Sequence, residues 1–472
     1  MIAESPLMSI RSVMEALSGK ILPEAVNPQQ GISSVTIDSR NVTEGALFVA
    51  LPGTVTDGHA YVEKAFQQGA VFALVQENRM EQYGATIVAA ARGAGKNVMV
   101  VPDTLRALQD LARWYVDRFP HLIRVGITGS SGKTTTKEIA AAMIRSEKVV
   151  VMNEGNLNSE TGLPLSVFSI RPEHQVGVFE LGMNRVGEIT ELARVLRPHI
   201  ALITNIGTAH IGKLGSQEAI AREKKEIFSQ FTGREVAIIP ESDPFAAFLK
   251  EGVRGRIRSF GYRSMVSLGE VTPLGIEGTR IVWDGVPVIL PLPGTHNVLN
   301  ALGAAAIAQE VGISAEGIRQ GIAQVRPLFG RGEIIKGPVT ILRDCYNANP
   351  ESMEQAVGFC DSLEWKGKRV YVIGSMLELG EKSEEAHRQI AHVLAKSKAD
   401  RIFLFGEETA IMEPIVVAAK GSAAVGYTTS FDELQEKVRR SVEEGDLVLL
   451  KGSRGMALER LTEILTGEKN VL

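Results

Sequence analysis

The chain has 472 residues, a length that predicts roughly three domains. Hydrophobic residues make up 44% of it and charged residues 22%, which is typical of globular domains with buried cores. A net charge of −4 over this length excludes a broad nucleic-acid surface and a membrane-attracted surface. Its two cysteines exclude a disulfide framework. The first twenty residues do not resemble a secretory signal, and no run reaches the ~18 apolar residues of a membrane span. We therefore expect a cytoplasmic protein.

Short strands separated by turn residues dominate the first part of the chain. Residues 31–90 contain the strand-like segments SSVTIDSRNV, ALFVALPG and AVFALV. The segment HAYVEKAFQQGA predicts a helix between the last two. Together they predict a small α/β domain over residues 1–102. Asp103 then caps a helix predicted for residues 103–119.

Strands and helices alternate through the central part of the chain. Strands are predicted in IRVGIT, QVGVFELG, IALITNIG and EVAIIP, and helices at residues 133–145, 187–196 and 217–230. This alternation predicts a parallel sheet with crossover helices. Residues 257–293 predict an antiparallel addition of short strands, and residues 293–312 a helix. We expect this domain to span residues 103–327.

A second alternation fills residues 328–472. Strands are predicted in VTILRDCYN, RVYVIG, RIFLFG and DLVLLKGS, with helices between them. This predicts a doubly wound, Rossmann-like α/β domain. The expected fold class is therefore α/β with three domains.

The segment TGSSGKTTT resembles a phosphate loop with an unusual spacing. The standard pattern needs a glycine five positions before Gly132, where this chain has isoleucine. Gly129 and Gly132 nevertheless lie between a buried strand and a helix, where backbone N–H groups and the helix N-terminus can bind phosphate. Lys133 would reach the outer phosphates, and the Thr134 hydroxyl would bind Mg²⁺. The alternative is a Gly/Ser turn before an ordinary helix.

Three further polar residues follow predicted strands or lie on the next helix. Glu180 ends a strand at the sheet edge where ligands bind, and its carboxylate suits Mg²⁺ unless it is simply solvated. His210 follows another buried strand, where it is either functional or structural. Lys224 is either a phosphate partner or a surface charge.

Amide side chains form two further candidate sites. Asn297 and Asn300 share one face of a helix, where they either read a base edge or cap the helix. Asp344 ends a strand, and Asn347 and Asn349 follow it in a turn. That loop either recognises hydroxyl or amide groups or is an ordinary turn stabilised by its asparagines.

The combined motifs resemble the Mur ligase family, ATP-dependent amide ligases that build the peptide of the peptidoglycan precursor. The resemblance rests on TGSSGKT, GNLNSETGLPLS, ELG, AH, HNVLNALGAAA and KGSR, within residues 31–455. The segments DCYNANPESM, IGSMLELGEKS and LLKGSRGMALE resemble the branch that joins D-alanyl-D-alanine to UDP-N-acetylmuramoyl-tripeptide. The resemblance implies ligation through an acyl phosphate.

The resemblance also implies roles for individual residues. The ATP phosphates are expected at Gly129, Ser130, Ser131, Gly132, Lys133, Thr134 and Thr135. Adenine is expected at Asn297 and Asn300, a phosphate at Arg331 and the ribose at Asp344. One Mg²⁺ is expected at Thr134 and Glu180, and a second at His210 and a carbamylated Lys224. The expected catalytic residues are Lys133, His210 and Lys224.

The same resemblance assigns one ligand to each domain. The uridine nucleotide is expected at Ser39 and Arg40 in the first domain, and ATP in the second. D-Ala-D-Ala is expected at Asn347, Asn349 and Ser352 in the third. We expect a monomer that binds no nucleic acid and has no membrane span.

Two positions depart from the family pattern. Ser375 stands where the family usually has aspartate, so a carboxylate expected at the binding edge is missing. Glu223 stands where alanine is usual, and its charge would disfavour a carbamate on Lys224. The open alternatives are a phosphate-loop kinase or NTPase, a nucleotide-gated binding module, and the sibling ligase that adds the third amino acid. Whether the tripeptide carries diaminopimelate or lysine is also open.

Overall fold

The computed structural model of the protein describes residues 6–53 and 56–467. The outer ends of the first and third predicted domains, residues 1–5 and 468–472, lie outside this part. The chain forms two compact units. Within the described residues, the first unit takes Met1–Gly126, Val149–Met183 and Glu188–Pro198, and the second Ile127–Lys148, Asn184–Gly187 and His199–Leu472. The predicted phosphate loop therefore shares the second unit with the carboxyl-terminal half of the chain.

A mixed sheet organises the amino-terminal part of the first unit. Its elements are β1 (Met8–Ser9), α1 (Ile10–Ala16), β2 (Lys20–Leu22), β3 (Gly31–Ile32), β4 (Ser34–Thr36), β5 (Ala46–Val49), α2 (Val62–Gln67), β6 (Phe72–Gln76), α3 (Met80–Ala94), β7 (Asn97–Val101) and α4 (Thr104–Val116). The strand order is β2–β7–β6–β5–β4, and each pair is parallel except β2 with β7. Strands β1 and β3 form a separate antiparallel pair. The predicted strands in ALFVALPG and AVFALV are confirmed as β5 and β6.

Three details test the predictions for this part. Of SSVTIDSRNV, only Ser34–Thr36 is a strand, and Ser39–Asn41 forms a short 3-10 helix. The Asp38 carboxylate begins that helix because it accepts a hydrogen bond from Arg40 N (2.9 Å). The predicted cap at Asp103 is confirmed, since its carboxylate accepts a hydrogen bond at the start of α4. Helix α3 is absent from the prediction, because glycine and β-branched residues weaken its helical signal.

Strands and helices alternate through the central part, as predicted. The elements are β8 (Ile123–Thr128), α5 (Lys133–Arg145), β9 (Val150–Met152), α6 (Gly162–Val167), β10 (Val176–Glu180), α7 (Glu188–Leu196), β11 (Ile200–Ile203), α8 (Ile211–Leu214), α9 (Gln217–Lys225), β12 (Val236–Pro240), α10 (Ala246–Lys250), β13 (Arg256–Phe260), β14 (Leu268–Pro273), β15 (Thr279–Trp283), β16 (Val286–Leu290), α11 (Thr295–Glu310) and α12 (Ala315–Gln324). In the first unit the strand order is β8–β10–β9, and β9 and β10 are parallel. In the second unit β11, β12 and β13 are consecutive parallel strands.

The predicted antiparallel addition begins later than expected. Strands β14, β15 and β16 do form an antiparallel sheet. Strand β13, however, pairs in parallel with β12, so the prediction is wrong for residues 257–260. The cause is that β13 is half exposed, with charged residues at both Arg256 and Arg258. An exposed strand of this kind lacks the continuous apolar run that identifies a buried parallel strand.

The carboxyl-terminal part of the second unit is a doubly wound α/β sheet, as predicted. Its elements are β17 (Glu333–Ile335), β18 (Thr340–Asp344), α13 (Pro350–Ser362), β19 (Arg369–Gly374), α14 (Ser383–Lys396), β20 (Arg401–Phe405), α15 (Glu413–Lys420), β21 (Val425–Thr428), α16 (Phe431–Ser441), β22 (Leu447–Lys451) and α17 (Arg460–Thr466). The strand order is β17–β18–β22–β19–β20–β21, and each pair is parallel except β17 with β18.

Helices cover both faces of this carboxyl-terminal sheet. Tyr371 and Ile373 of β19 pack into a core shared with α13, α14 and α15. Val370 and Val372 of the same strand pack into a separate core with α16 and α17. Alternate residues of β19 therefore pack into two different cores, which explains why the sequence of this strand is continuously apolar. The predicted α/β fold class is confirmed. Within the described residues, no helix is long and apolar enough to cross a membrane.

Candidate active site

The predicted phosphate loop lies between β8 and α5. Gly129 has a φ of +152° and Gly132 a φ of +77°. A Cβ atom on Gly129 would lie 1.8 Å from Thr204 Oγ1, and one on Gly132 would lie 2.3 Å from Asn300 Oδ1. The two glycines are therefore required both by their backbone conformation and by the close approach of neighbouring side chains. The predicted strand–loop–helix context is confirmed.

The loop that follows β11 makes several hydrogen bonds to the phosphate loop. Asn205 accepts hydrogen bonds from Ser130 N through its carbonyl and from Ser131 N through Oδ1, both at 3.0 Å. Thr204 Oγ1 donates to the carbonyl of Ser131 (2.6 Å), and Gly207 N donates to Ser130 Oγ (2.8 Å). Thr204 and Asn205 are functional candidates that the sequence reasoning missed. The sequence feature that could have identified them is their position directly after a buried strand.

Two lysine ammonium groups bind the same carbonyl of the phosphate loop. Lys133 Nζ and Lys224 Nζ each donate to the oxygen of Gly129, both at 2.9 Å. Lys133 begins α5, and Lys224 lies on α9 with 1% of its surface exposed. Two cations at one loop create a positive potential that suits a polyphosphate. The structure thus brings together two of the three predicted catalytic residues.

His210, the third predicted catalytic residue, adopts a left-handed backbone conformation just before α8. Its φ is +66°, and Glu378, which has the same φ, places a carboxylate oxygen 3.4 Å from His210 Nδ1. Within the described residues His210 Nδ1 makes no hydrogen bond although it is buried. Burial lowers the pKa of His210 to about 4, with smaller contributions from the charges of Lys133, Lys224 and Lys213. The imidazole is therefore neutral near pH 7, as a metal ligand or proton acceptor must be.

Glu180 lies in the first unit, at the end of β10, where two asparagines hold it. Asn153 Oδ1 accepts a hydrogen bond from Glu180 N (2.9 Å), and Asn158 Nδ2 donates to Glu180 Oε1 (2.7 Å). Both asparagines belong to the segment VMNEGNLNSE, and no role for them follows from its sequence. Glu180 is only 2% exposed, so its side chain is held inside the protein and is not a solvated strand end. That Glu180 and Thr134 share one Mg²⁺ stays a prediction.

The Asn297–Asn300 pair on α11 shares one helix face, as predicted. Asn300 Nδ2 donates to Asn297 Oδ1 (3.2 Å), and Asn297 Nδ2 donates to the carbonyl of Pro293 (2.7 Å). Thr136 Oγ1 donates to Asn300 Oδ1 (3.4 Å), which links α11 to the phosphate-loop helix. These contacts hold the start of α11 on the phosphate loop. The adenine-binding role stays a prediction.

A buried ion pair organises the loop after β18. Lys451 Nζ lies 2.9 Å from Asp344 Oδ2 and donates to the carbonyl of Asn347 (2.7 Å). The guanidinium carbon of Arg331 lies 3.9 Å from the ring centroid of Tyr346. Arg331, Asp344 and Asn347 are thus gathered by contacts within one loop region. Lys451 is a further candidate that the KGSR motif indicated without a role.

Asn349 and Ser352 cap α13. Asn349 Oδ1 accepts a hydrogen bond from Ser352 N (2.9 Å), and Asn349 N donates to Ser352 Oγ (3.1 Å). This reciprocal pair is a capping box, and it satisfies backbone donors at the start of the helix. Both residues therefore stabilise the turn at the start of α13, and their role in dipeptide binding stays a prediction.

Three family models match this chain in sequence order. The Mur ligase family, catalytic domain, matches residues 31–115; the Mur ligase middle domain, residues 127–308; and the Mur ligase, glutamate ligase domain, residues 330–454. A Treponema pallidum (strain Nichols) protein named UDP-N-acetylmuramoyl-tripeptide–D-alanyl-D-alanine ligase is 44% identical, over 98% of this chain and 100% of that protein. The chain belongs to the Mur ligase family.

Solved structures agree with this family membership. The structure described as MurF from Acinetobacter baumannii has a TM-score of 0.86 and 31% identity, over 98% of this chain and 99% of that one. MurF ligase from Thermotoga maritima in complex with ADP has a TM-score of 0.76 and 27% identity, over 92% and 97% of the two chains. The α/β fold class predicted from the alternation of strands and helices therefore agrees with that of solved relatives along nearly the whole chain.

The two departures from the Mur ligase pattern lie in well-packed surroundings. Ser375 is fully buried, and a Cβ on Gly406 would lie 2.3 Å from its Oγ. Position 375 thus faces the protein interior, and a carboxylate there would itself be buried. Glu223 is also buried, and its Oε2 accepts a hydrogen bond from Gly187 N (2.8 Å).

The residues predicted to receive the uridine nucleotide lie in the first unit. Ser39 is buried at the start of a 3-10 helix. The Arg40 side chain is exposed and forms two-pronged hydrogen bonds with Asp38. The bonds from Arg40 lower the pKa of Asp38 to about 2. An exposed guanidinium beside a carboxylate can exchange that partner for a ligand, but the assignment stays a prediction.

Proposed function

We propose that this protein is an ATP-dependent ligase that joins D-alanyl-D-alanine to UDP-N-acetylmuramoyl-tripeptide. The products are UDP-N-acetylmuramoyl-pentapeptide, ADP and phosphate. The observation that carries the proposal is the phosphate loop with Lys133 and Lys224 on one carbonyl, in a chain 44% identical along 98% of its length to a ligase of this name. Peptidoglycan precursor synthesis is the process that this reaction serves.

The reaction needs ATP because a carboxylate has no leaving group that an amine can displace. A carboxylate oxygen of the tripeptide attacks the γ-phosphorus, and the bond from that phosphorus to ADP breaks. The acyl phosphate that results is attacked at its carbonyl carbon by the amine of D-Ala-D-Ala. The amine loses a proton, and phosphate leaves with the electrons of the carbon–oxygen bond. Positioning and charge neutralisation are the main contributions that a protein can make to such a transfer.

The residues of the phosphate loop supply both contributions. Lys133 lies at the start of α5, where it would neutralise phosphate charge and where the helix dipole also favours an anion. The loop after β11 fixes the shape of the phosphate loop through Thr204 and Asn205. Neutral His210 can hold a ligand or accept a proton at Nδ1. The shape of the phosphate loop is therefore supported by the loop after β11 before ATP arrives.

The chemistry of the donor set fits Mg²⁺ at the phosphate loop. Thr134 and Glu180 provide oxygen atoms, which Mg²⁺ prefers, and Asn158 orients the Glu180 carboxylate. Thr134 and Glu180 would hold one ion, and His210 with a carbamylated Lys224 would hold the second. When bound, Mg²⁺ would neutralise charge on the phosphate oxygens. Within the described residues no group of three or more His, Cys, Asp or Glu side chains forms a metal cluster, so water and phosphate would complete the coordination.

The contacts of Lys224 favour its carbamylation. Its ammonium and that of Lys133 share one carbonyl oxygen, so converting one cation into an anion would relieve their repulsion. Lys224 is buried, which also penalises the cation. We expect ¹³C NMR of the folded protein in ¹³C-bicarbonate buffer to detect one carbamate carbon at Lys224. The Lys224→Arg variant is the control that cannot carry it, and an unmodified Lys224 under these conditions would refute the proposal.

We further propose that residues 1–102 bind the UDP-sugar, residues 103–327 bind ATP and residues 328–472 bind the dipeptide. The three family models, which match consecutive stretches of the chain, support this division. Both cysteines are buried and unpaired, which supports a reducing cytoplasm as the compartment. We propose a monomer, which light scattering would test.

Measurement of ADP release tests the proposed reaction. UDP-N-acetylmuramoyl-tripeptide would be supplied in its diaminopimelate and lysine forms, each with D-Ala-D-Ala, with single amino acids, or with no acceptor. UDP-N-acetylmuramoyl-dipeptide would be supplied with single amino acids. We expect rapid release only with D-Ala-D-Ala, together with a pentapeptide product detected by mass spectrometry. Release that does not depend on the dipeptide would favour an NTPase, and release that depends on a single amino acid with the UDP-dipeptide would favour the sibling ligase. Binding without turnover would favour a binding module.

A further inference from the structure

A carboxylate next to the predicted dipeptide-binding residues contacts the loop that holds the phosphate loop. Glu351 lies in the first turn of α13, between Asn349 and Ser352. Its Oε1 accepts a hydrogen bond from Thr208 N, and its Oε2 accepts one from Thr208 Oγ1, both at 2.9 Å. Both carboxylate oxygens therefore bind one residue of the loop after β11. Charge-assisted pairs of this kind fix orientation as well as distance.

The contact continues without interruption to the phosphate loop. Thr208 follows Gly207, whose N–H donates to Ser130 Oγ at 2.8 Å. A Cβ on Gly207 would lie 3.3 Å from both the Glu351 carboxylate and the Ser130 side chain, so the backbone passes tightly between them. The start of α13 is thus joined to the phosphate loop through consecutive residues of one loop.

A second contact joins α8, which follows the same loop, to the segment between β19 and α14. A Cβ on Gly212 would lie 2.5 Å from the backbone nitrogen of Gly380, so the two backbones touch. Glu378 lies near His210 and Lys213 in the same region, 3.4 and 3.8 Å from their nitrogen atoms. Glu378 is half exposed, whereas Glu351 binds through both of its oxygens. Glu351 is therefore the better-defined attachment point.

We propose that Glu351 is a positioning residue for the amine step: it holds the first turn of α13 in register with the phosphate loop. The proposal rests on the proposed function, in which that turn receives the dipeptide. The acyl phosphate forms at the phosphate loop, so its attack by the amine requires the two loops to be correctly placed relative to each other. Small displacements of positioned reactants strongly lower the reaction rate. Glu351 acts through Thr208 and the α13 turn, and touches neither reactant.

The test compares the two half-reactions in Glu351→Ala and Glu351→Gln. We expect Glu351→Ala to raise the KM for D-Ala-D-Ala about tenfold, the change that about 1.4 kcal/mol produces. The KM for ATP and the slow ADP release without dipeptide should stay at wild-type values, since neither uses α13. Glu351→Gln can still accept from Thr208 N and donate to Thr208 Oγ1, so it should recover most of the loss. A purely structural role would instead change all three quantities together.

Matched variants make the result specific to the Thr208 contact. Thr208→Val removes the hydroxyl and should raise the dipeptide KM, whereas Thr208→Ser keeps it and should not. The double variant Glu351→Ala/Thr208→Val should have nearly the same dipeptide KM as Glu351→Ala alone, because both substitutions act on the same contact. Glu354→Ala, which removes a carboxylate on the same helix that binds Gln389, is the control and should leave KM unchanged.

Two outcomes would overturn the proposal. One is a wild-type dipeptide KM in folded Glu351→Ala, and the other is strict additivity of the Glu351 and Thr208 effects. If Glu351→Ala does not fold, Thr208→Val alone decides by the same comparison of KM values. Failure of the wild-type enzyme to use D-Ala-D-Ala at all would refute the proposed function instead, and is recognised before any variant is measured.

Discussion

Lys133→Ala is expected to lower the rate of dipeptide-dependent ADP release at least about 100-fold, because it removes a preorganised positive charge from the site of phosphoryl transfer. Lys133 begins α5, and its ammonium lies 2.9 Å from the carbonyl of Gly129 within the phosphate loop. The negative charge on the phosphate oxygens is redistributed during the transfer. In the variant, water molecules would have to reorient to stabilise that charge, whereas the ammonium of Lys133 is already in place. The loss should therefore fall mainly on kcat, with a smaller increase in the KM for ATP.

The fold of Lys133→Ala should remain intact. Lys224 Nζ donates to the same Gly129 carbonyl as Lys133 Nζ, so this carbonyl keeps a lysine partner in the variant. Thermal unfolding followed by circular dichroism should still show one cooperative transition, with a midpoint close to that of the wild type. Binding of UDP-N-acetylmuramoyl-tripeptide, measured by calorimetry, should persist because its predicted residues lie in the first unit.

A neighbouring lysine provides the control for Lys133→Ala. Lys148 lies beyond the last residue of α5, and Lys148→Ala removes the same charge from the protein without changing the phosphate loop. Its turnover should match that of the wild type. Product formation by Lys133→Ala at the wild-type rate would contradict the assignment of the phosphate loop, and so would an equal loss of activity in Lys148→Ala.

The phosphate loop could be predicted from the sequence because its requirements are local. Gly129 and Gly132 need unusual backbone conformations, and Lys133 needs the first position of a helix, which are properties of adjacent residues. Its partners could not be predicted, since Thr204 and Asn205 are more than seventy residues away along the chain. Only the register of β8 beside β11 in the second unit, at Thr128 and Thr204, brings them together.

The same reasoning explains why Glu351 escaped prediction. Asn349 was identifiable because it lies in a polar turn directly after a predicted strand, and Ser352 because it falls in a segment that resembles the Mur ligase family. Glu351 between them matched an ordinary acidic residue in the first turn of a helix. Its contact with Thr208 joins positions 143 residues apart, and no pattern in either segment encodes that distance.

Replacement of Lys451 should cause a large loss of stability. Its side chain is 2% exposed, and its ammonium binds both the Asp344 carboxylate (2.9 Å) and the Asn347 carbonyl (2.7 Å). Lys451→Met keeps the bulk of the side chain but leaves Asp344 without its cation. Breaking a buried pair in this way costs about 3–5 kcal/mol, and we expect a loss near the lower limit because Asp344 keeps some contact with water.

The stability lost in Lys451→Met should come from the unpaired Asp344 carboxylate, and a second substitution tests this cause. In Lys451→Met/Asp344→Asn the side chain at position 344 is neutral, and its oxygen can still accept the hydrogen bond that Gly332 N gives to Asp344 Oδ1 (3.0 Å). The double variant should therefore be more stable than Lys451→Met alone, although it has lost one more native group. Urea unfolding of each variant measures the difference through the midpoint at constant slope.

An exposed ion pair at the start of α14 supplies the control. Lys382 forms a surface ion pair with Glu385, and Lys382→Met should leave the unfolding midpoint unchanged because exposed pairs contribute little. A midpoint for Lys451→Met equal to that of Lys382→Met would contradict the expected role of the buried pair. A double variant less stable than Lys451→Met would show that the packing of Asp344, rather than its charge, determines the stability of this loop. Since Lys451 also fixes the Asn347 carbonyl, its loss should displace the turn that leads into α13 and raise the KM for D-Ala-D-Ala.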